Sequence, residues 1–91
     1  MHKRLGVAGI VIEDTAVVPE VNAILHDFAD IIVGRMGIPY RSRGVSVLSL
    51  ILDGSTDEIS ALTGKLGRLQ GLSVKTALTR DLAPSAMEKE K

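Results

Sequence analysis

The chain contains no cysteine and has very few aromatic residues. Without cysteine it cannot form a disulfide, a zinc–thiolate site, a thiolate-ligated iron–sulfur cluster or a thiol nucleophile. Phe28 and Tyr40 are the two aromatic residues among 91, whereas apolar residues make up 45% of the chain. The length corresponds to one small domain, so the core of that domain must be built from aliphatic side chains.

An excess of charge of one sign is also lacking, because eleven basic residues balance eleven acidic ones. This balance gives no general reason to expect binding to nucleic acid or to an anionic membrane. The apolar run at residues 45–52 is too short to cross a bilayer, and the run near the N-terminus stops at Glu13 and Asp14 without a small-residue cleavage site. We therefore expect a cytoplasmic protein without a membrane partner.

Strand-like and helix-like hydrophobic patterns follow one another along the chain. Residues 3–12 are apolar on both alternating faces, which is typical of a central strand covered on both sides. Residues 16–29 carry an apolar stripe at helical spacing, with Pro19 acceptable in the first helical turn. The remaining predictions are a strand at 31–38, a connection from Pro39 to Gly44, a strand at 45–53, a capping box of Ser55 and Glu58, a helical stripe from Ile59 to Leu69, and a strand at 72–79.

The order of these elements predicts an α+β, ferredoxin-like βαββαβ fold, with a four-stranded antiparallel sheet and two helices on one face. We expect this domain to span residues 1–79, and the charged segment 80–91 to be a disordered tail. The sheet face opposite the helices stays open, although the two central strands are apolar there as well. Such a face favours self-association into a dimer or tetramer.

Three common functions of this fold do not match the sequence. RNA-recognition motifs stack bases on aromatic residues of the central strands, and these strands have none. Metal-carrying domains use a Cys-x-x-Cys pair, and acylphosphatase-like enzymes hold phosphate in the first βα loop, where this chain has the carboxylates of Glu13 and Asp14. The small-molecule-sensing, ACT-like branch of the fold remains.

Two long segments carry a closer resemblance. "IIVGRMGIPY" at 31–40 and "DGSTDEISALTGKLGRL" at 53–69 resemble a small family described as regulators of iron-only hydrogenase systems, and the resemblance extends over residues 3–79. It implies an oligomeric ACT-like domain allied to the ligand-binding half of nickel-responsive repressors. The family supplies no catalytic residues to carry over, and we expect a protein that is not an enzyme. No pattern in the sequence names a cofactor.

Two segments supply candidate ligand-binding or interface residues. Glu13, Asp14 and Thr15 lie where ACT-like domains meet an amino-acid ligand, although acids and a cap at a helix N-terminus explain them without any ligand. Residues 31–52 contain no acidic residue but include Arg35, Arg41 and Arg43. With Tyr40, this basic segment is a candidate contact for a ligand, an acidic partner or DNA.

His26 is a weak candidate for a metal ligand, because Asn22 and Asp30 lie four residues before and after it on the first predicted helix. A solvated pair of helix side chains explains the same spacing. Nickel-responsive relatives use several histidines and a cysteine, whereas this chain has two histidines and no cysteine. We therefore predict no metal site.

The resulting hypothesis is a non-enzymatic, ACT-like regulatory domain that forms a homo-oligomer and binds a small effector or a protein partner. Its context would be transcriptional regulation of an iron-only hydrogenase system. Two alternatives remain open: a regulator that binds DNA directly through Arg35–Arg43, and an assembly subunit for hydrogenase maturation.

Overall fold

Four strands and two helices alternate in the order that the sequence predicts. The computed structural model describes residues 3–79. The predicted tail at 80–91 and the first two residues of the predicted domain lie outside this range. The elements are β1 (Arg4–Ile12), α1 (Val18–Asp27), β2 (Ile32–Tyr40), β3 (Val45–Gly54), α2 (Thr56–Gly67) and β4 (Leu72–Leu78), with single 3-10 turns at Thr15–Val17, Ala29–Ile31 and Arg41–Arg43.

The strands form one antiparallel sheet in the order β2-β3-β1-β4. The two strands that follow each other without a helix, β2 and β3, are neighbours, and each helical crossover skips one strand position. This is the ferredoxin-like βαββαβ arrangement. The predicted fold class is confirmed, with β1 and β3 in the centre and β2 and β4 at the edges.

The core lies between the sheet and the two helices. Alternation along β1 places every second side chain in it, since Ala8, Ile10 and Ile12 are buried while their neighbours are exposed. Both helices contribute their apolar stripes from the same side of the sheet. The buried side chains are aliphatic throughout: Ala8, Ile10, Ile12, Val21, Leu25, Ile31, Leu48, Leu50, Leu52, Ile59, Leu62 and Leu66.

The first helix is shorter than the sequence predicts. Pro19 lies in its first turn as expected, but α1 ends at Asp27 because Phe28 leaves the helical region of backbone angles, with φ −111° and ψ 22°. Val17 in the preceding 3-10 turn and Phe28 directly after α1, the two ends of the predicted stripe, still pack partly buried against the core. The apolar spacing therefore identified the correct face but not the helix ends.

The second strand is longer than predicted, and the predicted end at Ile38 is wrong. Pro39 pairs with Ser46 and Tyr40 pairs with Val45, so that the connection to β3 starts at Arg41. An edge strand tolerates proline because one of its two sides has no neighbouring strand that requires an N–H donor. Gly44 closes the connection with a positive φ of 70°.

The predicted capping box at the start of α2 is confirmed. The Glu58 N–H donates to the Ser55 hydroxyl at 3.1 Å, and the Ser55 N–H donates to the Glu58 carboxylate at 2.9 Å. The hydrogen bond from the Ser55 N–H is the largest cause that lowers the pKa of the Glu58 carboxyl below its ordinary value, and the Ser55 side chain and the charge of Lys3 act on this carboxyl in the same direction. The box therefore stabilises the fold in the ionised form of Glu58.

We expect Ser55→Ala to lower the free energy of unfolding by about 1 kcal/mol, because the Glu58 N–H loses its acceptor. Ser60→Ala on the exposed side of α2 is the matched control and should be nearly neutral. Urea unfolding of both variants measures the difference. Equal stability of the two variants would contradict the capping role.

The capping box also predicts a pH dependence. Since the pKa of Glu58 is lowered in the folded state, its contribution is complete above the unfolded pKa and disappears as the pH falls through the folded pKa. Glu58→Gln keeps an acceptor for the Ser55 N–H but cannot ionise. The stability difference between wild type and Glu58→Gln should therefore shrink on acidification from pH 6 to pH 3, and a difference that does not change would contradict this assignment.

Candidate functional site

The sheet face opposite the helices is apolar and exposed. We call this surface the open face, and it consists of the outward side chains of β1, β2 and β3. Val7 and Ile51 are paired across the two central strands, and each exposes about half of its surface, 48% and 49%. The exposed apolar members are Leu5, Val7, Val11, Met36, Ile38, Tyr40, Val47 and Ile51. Isolated exposed apolar residues are common, but a contiguous group on a sheet face is typical of a contact surface.

The middle of the open face carries small residues. Gly9 pairs with Ser49 on one side and with Lys75 on the other, and nothing lies within 4 Å of a Cβ placed on Gly9 or on Gly34. A hollow of about 360 Å³ lies over Ser49 between Gly34, Met36 and Ile51, with Arg35 also at its border. The surface is therefore an apolar sheet with a shallow depression, into which a side chain from a partner can fit.

A β-bulge in β2 decides which residues join the open face. Ile32 pairs with Leu52 and Gly34 with Ile51, so Val33 is an extra residue without a partner of its own. One inserted residue reverses the facing of every later side chain in the strand. Met36 and Tyr40 consequently lie on the open face, whereas Arg35 lies on the same side of the sheet as the helices.

The structure thus separates three residues that the sequence groups into one candidate site. Arg35 pairs with Leu50, a fully buried residue on the helix side of the sheet. Tyr40 lies on the open face, 51% exposed, and Arg41 follows it in the 3-10 turn that leads to β3. Six residues of extended chain span about 20 Å, so Arg35 and Arg41 do not converge on one small ligand.

The predicted site at Glu13, Asp14 and Thr15 lies in a loop that is fixed to the rest of the fold. The N–H groups of Glu13 and Asp14 both donate to the Gly71 carbonyl, at 2.7 and 2.9 Å. The Asp14 carboxylate accepts a hydrogen bond of 3.0 Å from the Ala16 N–H and so caps the 3-10 turn before α1. Asp14 therefore performs the structural role that the sequence allows, and a ligand at this loop stays a prediction.

A second concave surface, which sequence reasoning missed, lies between α1 and β2 on the helix side of the sheet. We call it the α1–β2 groove. Arg35 and Asn22 line both of its halves, of about 140 and 350 Å³, and His26 lines the larger one. The apolar floor includes Val21, Leu25, Ile32 and Leu48. The i, i+4 spacing of Asn22 and His26 was visible in the sequence, but the approach of Arg35 depends on the bulge.

The groove does not have the composition of a metal site. The half of the groove that His26 lines is also lined by Arg35, whose guanidinium is positively charged, whereas Asp30 lines neither half. Within residues 3–79, no three His, Asp or Glu side chains lie close enough together to hold a metal ion. The same range contains no helix of sufficient length and apolar character to cross a bilayer.

Comparisons with known proteins agree with this architecture. The chain is similar to the uncharacterized protein TM1266 from Thermotoga maritima, with 35% identity over 86% of this chain and 99% of that one, and a TM-score of 0.81. It also has the fold of the ACT domain from GTP pyrophosphokinase of Chlorobium tepidum, with 16% identity, 85% and 100% coverage and a TM-score of 0.68.

A more distant structural neighbour is a formyltetrahydrofolate deformylase from Pseudomonas putida, with 9% identity, a TM-score of 0.58 and coverage of 80% of this chain but 28% of that one. No curated protein gives a significant match. Residues 4–76 match the sequence family described as "TM1266-like: Iron-only hydrogenase system regulator, putative". The chain belongs to this TM1266-like regulator family, and its ferredoxin-like fold is of the ACT type.

Proposed function

We propose that this chain is a non-enzymatic regulatory domain that self-associates through its open face and binds a small effector or a protein partner. The observation that carries the proposal is the row of half-exposed aliphatic side chains on the two central strands, including Val7, Val47 and Ile51. These positions do not need to be apolar for the protomer to fold, because they lie on the opposite side of the sheet from the core. Their composition is explained by a covering surface.

The energies support self-association. Full burial of a valine, leucine or isoleucine side chain gains about 1.5–3 kcal/mol, so each half-exposed member of the open face can contribute about 1 kcal/mol when a partner covers it. Association costs roughly 4–15 kcal/mol in lost translational and rotational freedom. Several such side chains from each of two copies are therefore needed, and the open face supplies them.

A second copy is the occupant that fits best. A two-fold contact places the same patch of both subunits together, so a self-complementary face needs no charge matching. Most of the open face meets this requirement, since the charged strand residues on this side of the sheet lie at its margins: Asp53 near the end of β3, and Lys75 on the edge strand β4. The regulator family to which the chain belongs supports a signalling role for such an oligomer.

Sedimentation velocity of the full chain between about 1 and 100 μM tests this proposal. We expect a dimer or tetramer at micromolar concentration, since the covered face would be largely apolar. A strictly monomeric species over the whole range would contradict the oligomeric part of the proposal.

Direct binding to DNA is the alternative function, and the positions of the arginines make it weaker. Arg41 and Arg43 share the 3-10 turn before β3, whereas Arg35 lies on the helix side of the sheet. Two or three phosphate contacts give a slope of about −2 to −3 in the dependence of log affinity on log salt. A promoter-DNA shift assay that shows a much steeper slope would favour DNA binding over the proposed function.

An assembly role in hydrogenase maturation remains the other alternative. The open face is also suited to a protein partner of different sequence, because an apolar sheet surface does not by itself select a second copy. Capture of hydrogenase-maturation proteins from hydrogenase-expressing cells by the monomeric form of the chain, without any self-association, would favour this role.

A further inference from the structure

The α1–β2 groove combines an apolar floor with positive charge and hydrogen-bond donors at one rim. Arg35 lies where the two halves of the groove meet, opposite Asn22 on α1. Arg35 is exposed, and none of the side-chain hydrogen bonds formed within residues 3–79 uses its guanidinium. A planar guanidinium at the edge of an apolar groove is suited to bidentate binding of a carboxylate.

The charge around the groove favours an anion and disfavours a cation. No Asp or Glu of the described residues lines either half, and the neighbouring segment from 31 to 52 contains no acidic residue. An ammonium group placed in the groove would have no carboxylate to neutralise it. A ligand that carries both a carboxylate and an ammonium group is therefore a poorer fit than one that carries the carboxylate alone.

The floor selects against a small inorganic anion. The apolar side chains that water can reach in it include those of Val18 and Ile32, which are half-buried, and Pro39, which is exposed. Val21, Leu25 and Leu48 also line it but are almost fully buried, and Gly37 lines it without adding a side chain. Phosphate would meet one guanidinium and leave this apolar surface in contact with water. A branched aliphatic body covers the surface and gains the corresponding free energy.

We infer that the α1–β2 groove is the effector site, and that its ligand is a small monocarboxylate with a branched apolar body. Arg35 binds the carboxylate, Asn22 donates a hydrogen bond from its amide, and the aliphatic floor holds the body of the ligand. This inference rests on the proposed regulatory function, since it names the class of effector that such a domain would bind. It places the effector away from the loop of Glu13, Asp14 and Thr15.

Titration of the 15N-labelled full chain with 4-methylpentanoate, followed by amide chemical shifts, tests the inference. We expect saturable shifts centred on Asn22, Gly37 and Leu48. Three matched probes separate the contributions: 4-methylpentanamide lacks the charge, L-leucine adds an ammonium group, and inorganic phosphate lacks the apolar body. Each should bind at least about tenfold more weakly than 4-methylpentanoate.

Arg35→Gln should weaken the binding of 4-methylpentanoate at least about tenfold, and Arg35→Lys, which keeps the charge but not the planar fork, should weaken it less. Arg43→Gln is the matched control, because it removes the same charge from the exposed connection outside the groove and should leave the affinity within about twofold. The amide spectrum of each variant checks that it is folded.

The inference would be overturned by the absence of a saturable shift in the wild type, by equal weakening in Arg35→Gln and Arg43→Gln, or by shifts confined to residues 13–15. Tighter binding of L-leucine than of 4-methylpentanoate would also overturn it. Sedimentation of the same wild-type samples separates this inference from the proposed function. An oligomer without a saturable shift refutes the groove alone, whereas saturable shifts in a strict monomer refute self-association alone.

Discussion

Ile51→Glu should raise the dissociation constant of the oligomer more than about a hundredfold. Ile51 lies on a central strand of the open face between Val7 and Gly34, so a second copy that covers this face would bury the new carboxylate without a partner. An uncompensated buried charge costs several kcal/mol, and each 1.4 kcal/mol changes the dissociation constant about tenfold. The folded protomer should tolerate the substitution, because Ile51 is 49% exposed there.

Ala61→Glu is the matched control for Ile51→Glu. Ala61 is exposed on α2, on the opposite side of the molecule from the open face, and the substitution introduces the same charge. We expect the sedimentation coefficient of this variant to equal that of the wild type, and circular dichroism to show both variants folded. If Ala61→Glu dissociated the oligomer while the Ile51→Glu variant remained associated, the interface would lie on the helices and not on the open face.

Gly71→Ala should lower the free energy of unfolding by roughly 3 kcal/mol or more. Gly71 has a φ of +84°, which costs a residue with a Cβ about 1–2 kcal/mol. The added Cβ would also lie 2.5 Å from the Asp14 Cβ, so the β1–α1 loop would have to move. That movement would weaken the two hydrogen bonds that the Gly71 carbonyl accepts from the N–H groups of Glu13 and Asp14.

Gly44→Ala separates the cost of the backbone angle from the cost of the close approach. Gly44 also has a positive φ, +70°, but nothing lies within 4 Å of a Cβ placed there. We expect about 1 kcal/mol of destabilisation, which leaves this variant several degrees more stable in thermal unfolding than Gly71→Ala. The measurements need equal protein concentrations, because association stabilises the fold. An equal decrease of the free energy of unfolding in the two variants would show that the β1–α1 loop does not depend on its contact with Gly71.

The fold could be predicted from the sequence because local and global signals agree in this chain. The apolar residues on both alternating faces of β1 indicate a central strand, and the apolar stripes of α1 and α2 indicate the helix faces that meet the sheet. Ser55 and Glu58 fixed the start of α2, since the capping box is a local feature of four residues. The family resemblance implies the same architecture, and the family match over residues 4–76 confirms that resemblance.

The arrangement of the candidate site could not be predicted in the same way. One bulge at Val33 sets the facing of Arg35 and Tyr40. Glycines such as Gly34 and Gly37 often mark a bulge in a strand, but they do not fix the residue at which the extra position falls. The sequence therefore grouped two residues that lie on opposite sides of the sheet. The α1–β2 groove was missed for the same reason, because Arg35 reaches Asn22 and His26 only in this register.

We propose that the open face is an interface between copies of this chain. Isotope-filtered NMR on a mixture of labelled and unlabelled chains tests it most directly, since it records only contacts between different molecules. We expect intermolecular contacts from the methyl groups of Val7, Met36 and Ile51. Intermolecular contacts confined to the exposed surfaces of α1 and α2 would contradict this proposal. A confirmed oligomer in which no residue of the open face makes an intermolecular contact would also contradict it.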